Sequence, residues 1–470
     1  MTSDITRRTF LGSTLALGAA ACIGSTGAAA AEPRRLIAGD RTIEVLGRSA
    51  RVFGLADTAG APGLLLAPAE RFYVSLENTL GVPTSIHWHG QTPAPELDGI
   101  SETGYVEPLS PGETRSFDFA ARPGTHWMHS HHELQEQSLL TAPLIVQSED
   151  DLAADVQDVV LLLNDFSFRD PGEIYKELTG GAAMDHGAGG MSGMDHSMMS
   201  MSGMDLNDVE YDAFLANDRT LDDPQVVRTE RGGRVRLRII NGAASTAFWI
   251  DLGAIQASLV AVDGNPVVPV NGSRFPLAQA QRIDLLLDVP AGSVVPVFAR
   301  REGDVARTGI ILATPGASIQ KLSGHADSSE VPVDLSLEAT LSAVVPLAAR
   351  KADVSHMVML TGSMAPYAWT LDDRSWANRN KLEVRQGQRV ELAFMNHSMM
   401  AHPMHLHGHH FQVVELNGRR LSGAVRDTVL VPPMATTTVA FEADNPGRWL
   451  YHCHNLYHMM SGMMSEVVYT

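Results

Sequence analysis

The chain has little cysteine, little positive charge and no long hydrophobic run, and each scarcity excludes a class of protein. Two cysteines in 470 residues exclude a disulfide-rich scaffold. Acidic residues (54) outnumber basic ones (35), for a formal net charge of −19. Nucleic acid is therefore not an expected partner, because phosphate binding needs a basic face. Stable membrane insertion is not expected either.

Sustained helical periodicity is also missing, whereas Gly (41) and Pro (25) are plentiful. This composition favours an all-β chain of short strands joined by turns. A length of 470 residues is too great for one hydrophobic core and corresponds to about three domains.

The first residues have the pattern of an export signal. Arg7-Arg8 precedes Phe10-Leu11 and a short run rich in Leu, Ala and Gly, which ends in small residues at Ala28–Ala31. We interpret residues 1–31 as a twin-arginine signal peptide, which predicts export by the twin-arginine machinery to the periplasm. The alternative is a chance Arg pair at the terminus. Cleavage would remove Cys22 and leave Cys453 as a lone thiol, at risk of oxidation unless something holds it.

A strand-like segment with alternating polarity and a final Asn occurs three times, at 71–78, 234–241 and 389–396. Alternation with a period of two predicts a half-buried strand, and the separations are too long for a solenoid. Three related antiparallel β-sandwiches of Greek-key type are therefore predicted, over residues 32–150, 151–316 and 317–470.

The outer repeats carry His-x-His pairs at matching positions. Two pairs stand nine residues after the Asn, and two stand five residues after a Gly on a later strand: His87 and His89, His405 and His407, His129 and His131, His452 and His454. The middle repeat has Ile250–Leu252 and Val297–Ala299 there instead, so it is predicted to bind no metal. Residues i and i+2 of a strand share a face. If the outer repeats pack together, eight neutral imidazoles meet, and their burial calls for a metal such as copper, iron or zinc.

Cys453 lies between two of these histidines, so its side chain points to the opposite face of the strand. It can therefore bind a second metal behind the histidine cluster. His402 and His458 are near in sequence and belong to no pair, and Met463 lies ten residues beyond the cysteine. Two imidazoles, a thiolate and a weak thioether are the ligands of a blue-copper electron-transfer site.

Together the segments 87–90, 129–131, 402–408 and 452–463 resemble the four copper motifs of three-domain multicopper oxidases, and the resemblance covers nearly the whole mature chain. It implies three cupredoxin-like domains and four copper ions. By this resemblance a type 1 copper is held by His402, Cys453, His458 and Met463. A type 2 copper is held by His87 and His405. A type 3 pair is held by His89, His129, His131, His407, His452 and His454.

The resemblance also implies a mechanism. A donor reduces the type 1 copper near the surface, through His458 or His402, and electrons pass through Cys453 to the trinuclear site, where O₂ is reduced to water. Asp98 resembles the family's carboxylate near that site, although Asp98-Gly99 would also suit a simple turn. Many relatives carry a Glu directly after the last type 1 histidine, where this chain has Met459. Other histidines border the motifs and are expected to support them or to play no part: His126, His132, His397, His409 and His410.

Residues 184–204 hold seven of the 21 methionines together with two histidines and five glycines. Such a stretch cannot build a core, and thioether sulfur prefers Cu(I). It is interpreted as a Cu(I)-recruiting insertion; the alternative is a flexible insertion with a chance Met bias. The candidate recruiting residues are Met184, His186, Met191, Met194, His196, Met198, Met199, Met201 and Met204.

The segments 135–137, 396–400 and 457–459 resemble the periplasmic copper-resistance branch of the family, although some cuprous oxidases have Asp where Ser398 stands. The predicted reaction is oxidation of Cu(I), and of phenolic reductants, by O₂ in copper tolerance. Two alternatives remain open: a laccase-like phenol oxidase and a periplasmic copper-sequestering protein. A copper nitrite reductase is disfavoured because it would have two repeats.

Overall fold

The computed structural model describes residues 32–180, 206–230 and 233–470. The predicted signal peptide and the Met-rich stretch 184–204 lie outside the described residues. The described strands from Arg34 onward belong to one compact unit, Arg34–Thr470.

The first sandwich consists of two four-stranded sheets, with strand orders β2-β1-β4-β6 and β3-β8-β7-β5. The 3₁₀ helix Pro95–Leu97 lies between β5 and β6. The strands are β1 (Arg34–Val45), β2 (Arg48–Ala56), β3 (Leu64–Leu66), β4 (Arg71–Asn78), β5 (Ile86–His89), β6 (Thr114–Ala120), β7 (Gly124–Ser130) and β8 (Thr141–Val146).

Helix α1 (Glu149–Ala153) leads to the second sandwich, whose sheets have the orders β10-β9-β12-β17-β14-β15 and β11-β19-β18-β13-β16. Helix α2 (Pro171–Thr179) follows β9. The strands are β9 (Gln157–Phe166), β10 (Ala213–Ala216), β11 (Val226–Arg228), β12 (Arg234–Asn241), β13 (Phe248–Asp251), β14 (Ala257–Val262), β15 (Asn265–Gly272), β16 (Arg274–Leu277), β17 (Arg282–Asp288), β18 (Val294–Arg301) and β19 (Arg307–Ala313).

A connecting segment with the 3₁₀ helix Glu338–Thr340 leads to the third sandwich, whose sheets have the orders β21-β20-β23-β29-β25-β26, with β27 beside β25, and β22-β31-β30-β24-β28. It also contains the 3₁₀ helix Trp376–Asn378 and helix α3 (Leu456–Ser461). Its strands are β20 (Val354–Met364), β21 (Tyr367–Leu371), β22 (Leu382–Val384), β23 (Arg389–Asn396), β24 (His402–Leu406), β25 (Phe411–Leu416), β26 (Arg419–Arg420), β27 (Val425–Arg426), β28 (Thr428–Val431), β29 (Thr436–Glu442), β30 (Arg448–Cys453) and β31 (Met464–Tyr469).

The all-β class and the threefold repeat are confirmed, since the same strand pairings recur in each sandwich. The sheets are not purely antiparallel as the alternation predicted. The opening strand of each repeat pairs in parallel with the strand that ends in Asn, as β1 does with β4, β9 with β12 and β20 with β23. Alternation reports which face of a strand is buried, and it does not report the direction of the neighbouring strand.

The repeat brings the histidine positions into register. His87 on β5 pairs with His129 on β7, and His405 on β24 pairs with His452 on β30. The equivalent pair in the middle sandwich is Ile250 with Ala299. The spacing from Gly292 predicted Val297 at this position and was wrong by two residues, because the register is set by pairing with β13 and not by distance from the turn.

Buried aliphatic and aromatic side chains fill the space between the two sheets of each sandwich. The core of the third sandwich also contains Cys453, Met463, Met404 and Tyr457, so one candidate metal site lies inside a hydrophobic core. Among the described residues no helix is both long enough and apolar enough to cross a membrane.

Candidate metal centres

Three predicted ligands of the type 1 site meet inside the third sandwich. The Nδ1 atoms of His402 and His458 are 3.1 Å apart, and they lie 3.6 and 3.7 Å from Cys453 Sγ. The centre of this triangle is about 2 Å from each atom, which is a normal distance from a copper or zinc ion to imidazole nitrogen. Three donor atoms so close, with no counter-charge between them, fit a bound metal ion.

Met463, the predicted axial ligand, is fully buried in the same core cluster as Cys453. Its backbone carbonyl accepts a hydrogen bond from the Cys453 amide, with an N···O distance of 3.1 Å. This bond joins the loop after α3 to the end of β30. The burial of Met463 beside Cys453 agrees with its predicted role as the thioether ligand.

Both type 1 histidines are fully buried, which corrects the expectation that this site lies near the surface. The ring of Trp369 covers them, with centroids 4.2 Å from the ring of His458 and 5.3 Å from that of His402. Trp369 comes from β21, and α2 packs against the same strand. The covering of this site by Trp369 and α2 could not be predicted from the copper motifs, because both come from distant parts of the chain.

The outer nitrogen of each type 1 histidine lies near a polar side chain, but only that of His402 has hydrogen-bond geometry. His458 Nε2 lies 3.0 Å from Asp208 Oδ2, and His402 Nε2 lies 2.7 Å from Ser398 Oγ. Asp208 is itself buried and accepts a hydrogen bond of 2.7 Å from the Asn455 side chain. These contacts leave the Nδ1 atoms free to face Cys453. Sequence reasoning missed Asp208, and its only signal was its place just after the Met-rich stretch.

The eight histidines of the four pairs converge where the first and third sandwiches meet, and none of them is more than 3% exposed. Rings from the two sandwiches face each other directly. The centroids of His89 and His405 are 3.8 Å apart, and those of His87 and His407 are 3.9 Å apart. The junction is thus built from imidazoles contributed by both outer repeats.

Subsets of these histidines form compact ligand groups. Three rings, from His131, His407 and His452, lie with all centroids 5.2 Å apart, and their ligand atoms lie within 4.8 Å of one another. A second set brings His454 to within 5.1 Å of His89 and 4.9 Å of His129, measured between ring centroids. Another group joins His87 and His405 with His407. The first group contains only predicted type 3 ligands, whereas His87 lies with His405 and His407 in one group and with His89 and His129 in another.

Hydrogen bonds from Nδ1 orient several rings so that Nε2 faces the cluster. His131 Nδ1 donates to Glu102 Oε1 (2.7 Å), His405 Nδ1 donates to the Asp427 carbonyl (2.8 Å) and His452 Nδ1 donates to the Cys453 carbonyl (3.0 Å). Four buried Nε2 atoms are left without any hydrogen-bond partner, those of His87, His131, His405 and His454. Orphaned acceptors aimed at one another fit metal ions that occupy the space between them.

The carboxylate of Asp98 bridges the two sandwiches inside this cluster. One oxygen accepts a hydrogen bond from His407 Nδ1 (2.9 Å), and the other lies 3.2 Å from His87 Nδ1. Asp98 also ends the 3₁₀ helix, and Gly99 follows with φ +86°, where a Cβ atom would lie 1.9 Å from the Ile86 carbonyl oxygen. The turn and the carboxylate near the histidines, posed as alternatives by the sequence, are both present.

Besides Glu102, two further carboxyl groups near the histidine cluster were missed by sequence reasoning. Glu136 Oε2 lies 2.8 Å from His129 Nδ1, and Glu136 lines the same small cavity as His454 and Met459. The acid that many relatives place after the last type 1 histidine is absent at Met459, and Glu136 brings a carboxyl group to this cavity instead. Burial, and to a lesser degree Asp165, raises the pKa of Glu136 well above its ordinary value. The second missed group is Asp427, described below.

Burial sets the charge of the cluster in the absence of metal. It lowers the pKa values of most of the imidazoles well below the ordinary range, and the neighbouring imidazoles lower them further. This holds for His89, His129, His405, His407 and His452. Burial also opposes the charge on His131, but Glu102 raises its pKa. Burial raises the pKa of the Cys453 thiol, so copper binding there must displace a proton.

The copper-free protein is expected to lose stability as the pH falls below about 6.5. Burial lowers the pKa of His454 and of His410 to about 3 and that of His409 to about 4, from 6.5 in the unfolded chain. The unfolded chain therefore binds more protons between pH 6.5 and the folded values, and each unit costs about 1.4 kcal/mol per group. The raised pKa values of His131 and of buried carboxyl groups such as Glu136 and Glu302 oppose this trend. We expect the lowered histidines to dominate, because the five named above add to these three.

Thermal unfolding of the copper-free protein between pH 7.5 and 4 measures this effect. We expect the melting temperature to fall steadily across that range, and copper-loaded protein to fall less. A melting temperature that does not change between pH 7.5 and 5 would show that these imidazoles are not held neutral.

Cys453 is the last residue of β30, between the two sites. Its thiol faces His402 and His458, while His452 and His454 on either side belong to the histidine cluster. One short length of backbone thus connects two groups of metal ligands. Two of the histidines that border the motifs have partners of their own. His409 contacts the Tyr469 hydroxyl and the His407 carbonyl, and His410 contacts the Gly90 carbonyl and Asn265.

Three β-sandwiches with a buried His₂Cys site and an eight-histidine cluster define a copper-dependent oxidase of the cupredoxin class. Sequence profiles of the multicopper oxidase family match residues 38–151, 157–302 and 350–470. The chain is 32% identical over 418 residues to the multicopper oxidase MmcO of Mycobacterium tuberculosis, covering 88% of this chain and 82% of that protein. The chain belongs to the multicopper oxidase family. It is therefore an oxidoreductase that uses O₂ as acceptor and copper as cofactor.

Other relatives differ in the activity that their names describe. A copper resistance protein A homolog of Pseudomonas syringae pv. tomato is 25% identical and covers 92% of this chain and 91% of its own. Laccase-1 of Botryotinia fuckeliana is 24% identical and covers 82% of this chain and 72% of its own. Among solved structures, Fet3p, a multicopper oxidase that functions in iron import, superposes with a TM-score of 0.77 at 17% identity, covering 93% of this chain and 90% of its own.

Proposed function

We propose that this protein oxidises Cu(I) to Cu(II) with O₂ as acceptor, four electrons reducing each O₂ to two waters. The proposal rests on four copper ions bound as the sequence predicted. His402, Cys453, His458 and Met463 would hold the type 1 ion, and His87 and His405 would hold the type 2 ion. The remaining six histidines of the cluster would hold the type 3 pair. When bound, these ions supply one-electron transfer at the type 1 site and O₂ reduction at the cluster.

The chain's own residues fix the route between the two sites. With copper bound, His458, which lies 3.0 Å from Asp208, would be the residue at which an electron enters, and the backbone of Cys453 would connect the type 1 site to His452 and His454. Asp98 holds His87 and His407 at the cluster, where water forms and protons are needed. Glu136 places a carboxyl group beside His129 on the other side.

The contact between Asp208 and His458 is the observation that favours Cu(I) as the substrate. A fully buried imidazole covered by Trp369 offers no ring face on which a phenol could stack. A small cation needs only a ligand atom near the site. Asp208 is buried 3.0 Å from His458 Nε2, and its Oδ1 atom has no hydrogen-bond partner. Asp208 thus offers a metal ion a ligand close to His458. An aromatic reductant would first have to displace Trp369 to reach the imidazole.

Both described flanks of the Met-rich stretch contact the type 1 region. On the later side, Asp208 contacts His458. On the earlier side, α2 carries Tyr175, whose hydroxyl donates to the Met460 carbonyl (3.0 Å) and whose ring lies 6.4 Å from that of Tyr457. A chain segment tied at both ends to this region can present its thioethers to Cu(I) close to the point of oxidation. We therefore propose that Met184–Met204 recruits Cu(I).

Replacing sulfur within this stretch tests the proposal. We expect Leu at all seven methionines to raise KM for Cu(I) about tenfold while leaving phenol oxidation unchanged. The positions are Met184, Met191, Met194, Met198, Met199, Met201 and Met204. Leu keeps the length and apolar volume of each side chain, and Ala at Ser192, Ser197, Ser200 and Ser202 provides a control that keeps every sulfur. Oxygen uptake with Cu(I) and with a methoxyphenol, measured side by side, gives both rates.

The alternatives make different predictions in the same assay. A laccase-like phenol oxidase, favoured by the likeness to Laccase-1, would consume O₂ no faster with Cu(I) than with the phenol. A copper-sequestering protein would take up copper in stoichiometric amounts without consuming O₂. An unchanged KM for Cu(I) in the seven-Leu variant would contradict recruitment by the methionines.

The cellular setting follows from the same proposal. We propose export of the folded protein by the twin-arginine machinery and action in the periplasm, where oxidation of Cu(I) would contribute to copper tolerance. The likeness to the copper resistance proteins supports this setting, and so does the pattern at Arg7-Arg8. Copper-sensitivity of cells that express an Arg7→Lys, Arg8→Lys variant, compared with wild type, would test it.

A further inference from the structure

The middle sandwich lacks the histidine pairs, yet it contacts the histidine cluster through a buried charged side chain. Arg282, the first residue of β17, is fully buried and forms two parallel hydrogen bonds to Asp427, from Nη1 to Oδ1 (2.7 Å) and from Nη2 to Oδ2 (2.6 Å). Asp427 stands between β27 and β28 of the third sandwich and is 1% exposed. A two-point pair of this kind fixes the carboxylate plane as well as its charge.

Asp427 in turn contacts two histidines of the cluster. Its Oδ1 accepts a hydrogen bond from His89 Nε2 (3.0 Å), and its backbone carbonyl accepts one from His405 Nδ1 (2.8 Å). Thr428 supports this arrangement, since its hydroxyl donates to Asp427 Oδ1 (2.9 Å). A single residue therefore orients one histidine from each outer sandwich.

The contact reverses the usual orientation at His89. Other rings of the cluster, such as His131 and His452, donate from Nδ1 to an outer acceptor and turn Nε2 inward. His89 donates from Nε2, so its Nδ1 faces His129 Nε2 at 3.4 Å. A carboxylate can only accept, so Asp427 selects the tautomer of His89 that leaves Nδ1 as the ligand atom.

Further buried charges connect this pair to the interface of the second and third sandwiches. Asp263, also fully buried, accepts a hydrogen bond from the Arg282 amide (2.9 Å) and lies 3.2 Å from Arg426 Nη1. Arg426 donates to Glu338 Oε2 (2.7 Å). At the cluster end the backbone is tight, since a Cβ on Gly90 would lie 2.6 Å from Arg282 Nη2.

We infer that Arg282, acting through Asp427, positions His89 and His405 for copper binding, so that the copper-free middle domain is part of the metal site. Arg282 and Asp427 are positioning residues, because neither is placed to touch the metal. The inference rests on the proposed type 2 and type 3 ligands.

The test compares two buried arginines of the same domain. Arg282→Lys keeps the charge but loses the two-point contact with Asp427. Arg238→Lys is the matched control, since Arg238 is 1% exposed, pairs with Asp158 and Asp284, and also contacts Thr125 of the first sandwich. None of its partners is a hydrogen-bond partner of a cluster histidine.

Copper per chain, the blue absorption of the type 1 site and the electron paramagnetic resonance of Cu(II) are measured on both variants and on wild type. We expect Arg282→Lys to keep the blue absorption, to lose about a third to a half of its copper, and to show a changed signal from the cluster. Arg238→Lys is expected to match wild type in all three measurements, even if its melting temperature falls as much as that of Arg282→Lys. Equal copper content and equal signals in the two variants would overturn the inference.

If Arg282→Lys does not fold, Asp427→Asn is measured in the same way. The Asn side chain has the shape of Asp, but its amide oxygen is a weaker hydrogen-bond acceptor than the carboxylate. Loss of cluster copper with the blue absorption retained supports the inference, and wild-type copper content and signals overturn it. Failure of the proposed function would be seen separately, as a wild-type protein without blue absorption or with fewer than four copper ions.

Discussion

Replacing Cys453 with Ser is expected to abolish the intense blue absorption and to lower the rate of O₂ consumption by at least about a thousandfold. The thiolate is the source of that absorption, and a hydroxyl at this position is a far poorer ligand for copper. Cys453 is also the only described residue whose side chain joins the type 1 group while its backbone joins the histidine cluster. Removing the sulfur therefore breaks both the site and the electron route.

The histidine cluster should still bind copper in the Cys453→Ser protein, because its ligands lie on the other face of the strand. Metal analysis is expected to find about three copper ions per chain in place of four. Tyr451→Phe, at a buried position two residues earlier on β30, is the control and should keep colour and activity. A blue Cys453→Ser protein would refute the type 1 assignment.

The second large effect concerns the type 2 ligands. His87→Ala and His405→Ala should each keep the blue absorption and lose O₂ reduction by at least about a hundredfold. Each of these rings has an Nε2 atom with no protein partner, aimed into the cluster, and neither ring contacts the Cys453 group. Removing one takes a ligand from the site of O₂ reduction without disturbing the site of electron entry.

Rapid reduction of the blue absorption by Cu(I) under nitrogen, followed by admission of O₂, separates the two steps. We expect both Ala variants to bleach as fast as wild type and to recover their colour only slowly in O₂. His409→Gln is the control, because His409 is buried beside the same motif but its ring bonds only the Tyr469 hydroxyl and the backbone carbonyl of His407, and no cluster imidazole. Ala variants that reoxidise as fast as wild type would remove His87 and His405 from the proposed site.

The repeat and the alternation of strand residues were enough to predict how the ligands are distributed. The sequence shows that His452 and His454 share a face and that Cys453 has the other, and both consequences are seen in the structure. The match between the outer repeats also predicted equivalent positions for His87 and His405 and for His129 and His452. The structure agrees, since His87 lies opposite His129 and His405 lies opposite His452. These features are local, because they depend on positions within a strand and on an internal repeat.

The partners of the ligands could not be predicted in this way. Asp208 and Asp427 each contact a histidine that is far away in the chain. Glu136 contacts the nearby His129, but it also lies 4.0 Å from His454 of the third sandwich. A lone carboxylate on a strand or loop has no periodic signal, and its role is set by how domains pack. Burial of the type 1 histidines under Trp369 has the same origin, and it reversed the expectation of a site near the surface.

The central feature of the proposed metal centres is that neighbouring residues of one strand bind different metal ions. Anomalous X-ray scattering at the copper edge, from crystals of the copper-loaded protein, measures this directly. We expect one copper within bonding distance of Cys453 Sγ and the Nδ1 atoms of His402 and His458, and three more among the eight histidines of the cluster. A copper shared by Cys453 and either His452 or His454, or no copper at Cys453, would contradict it.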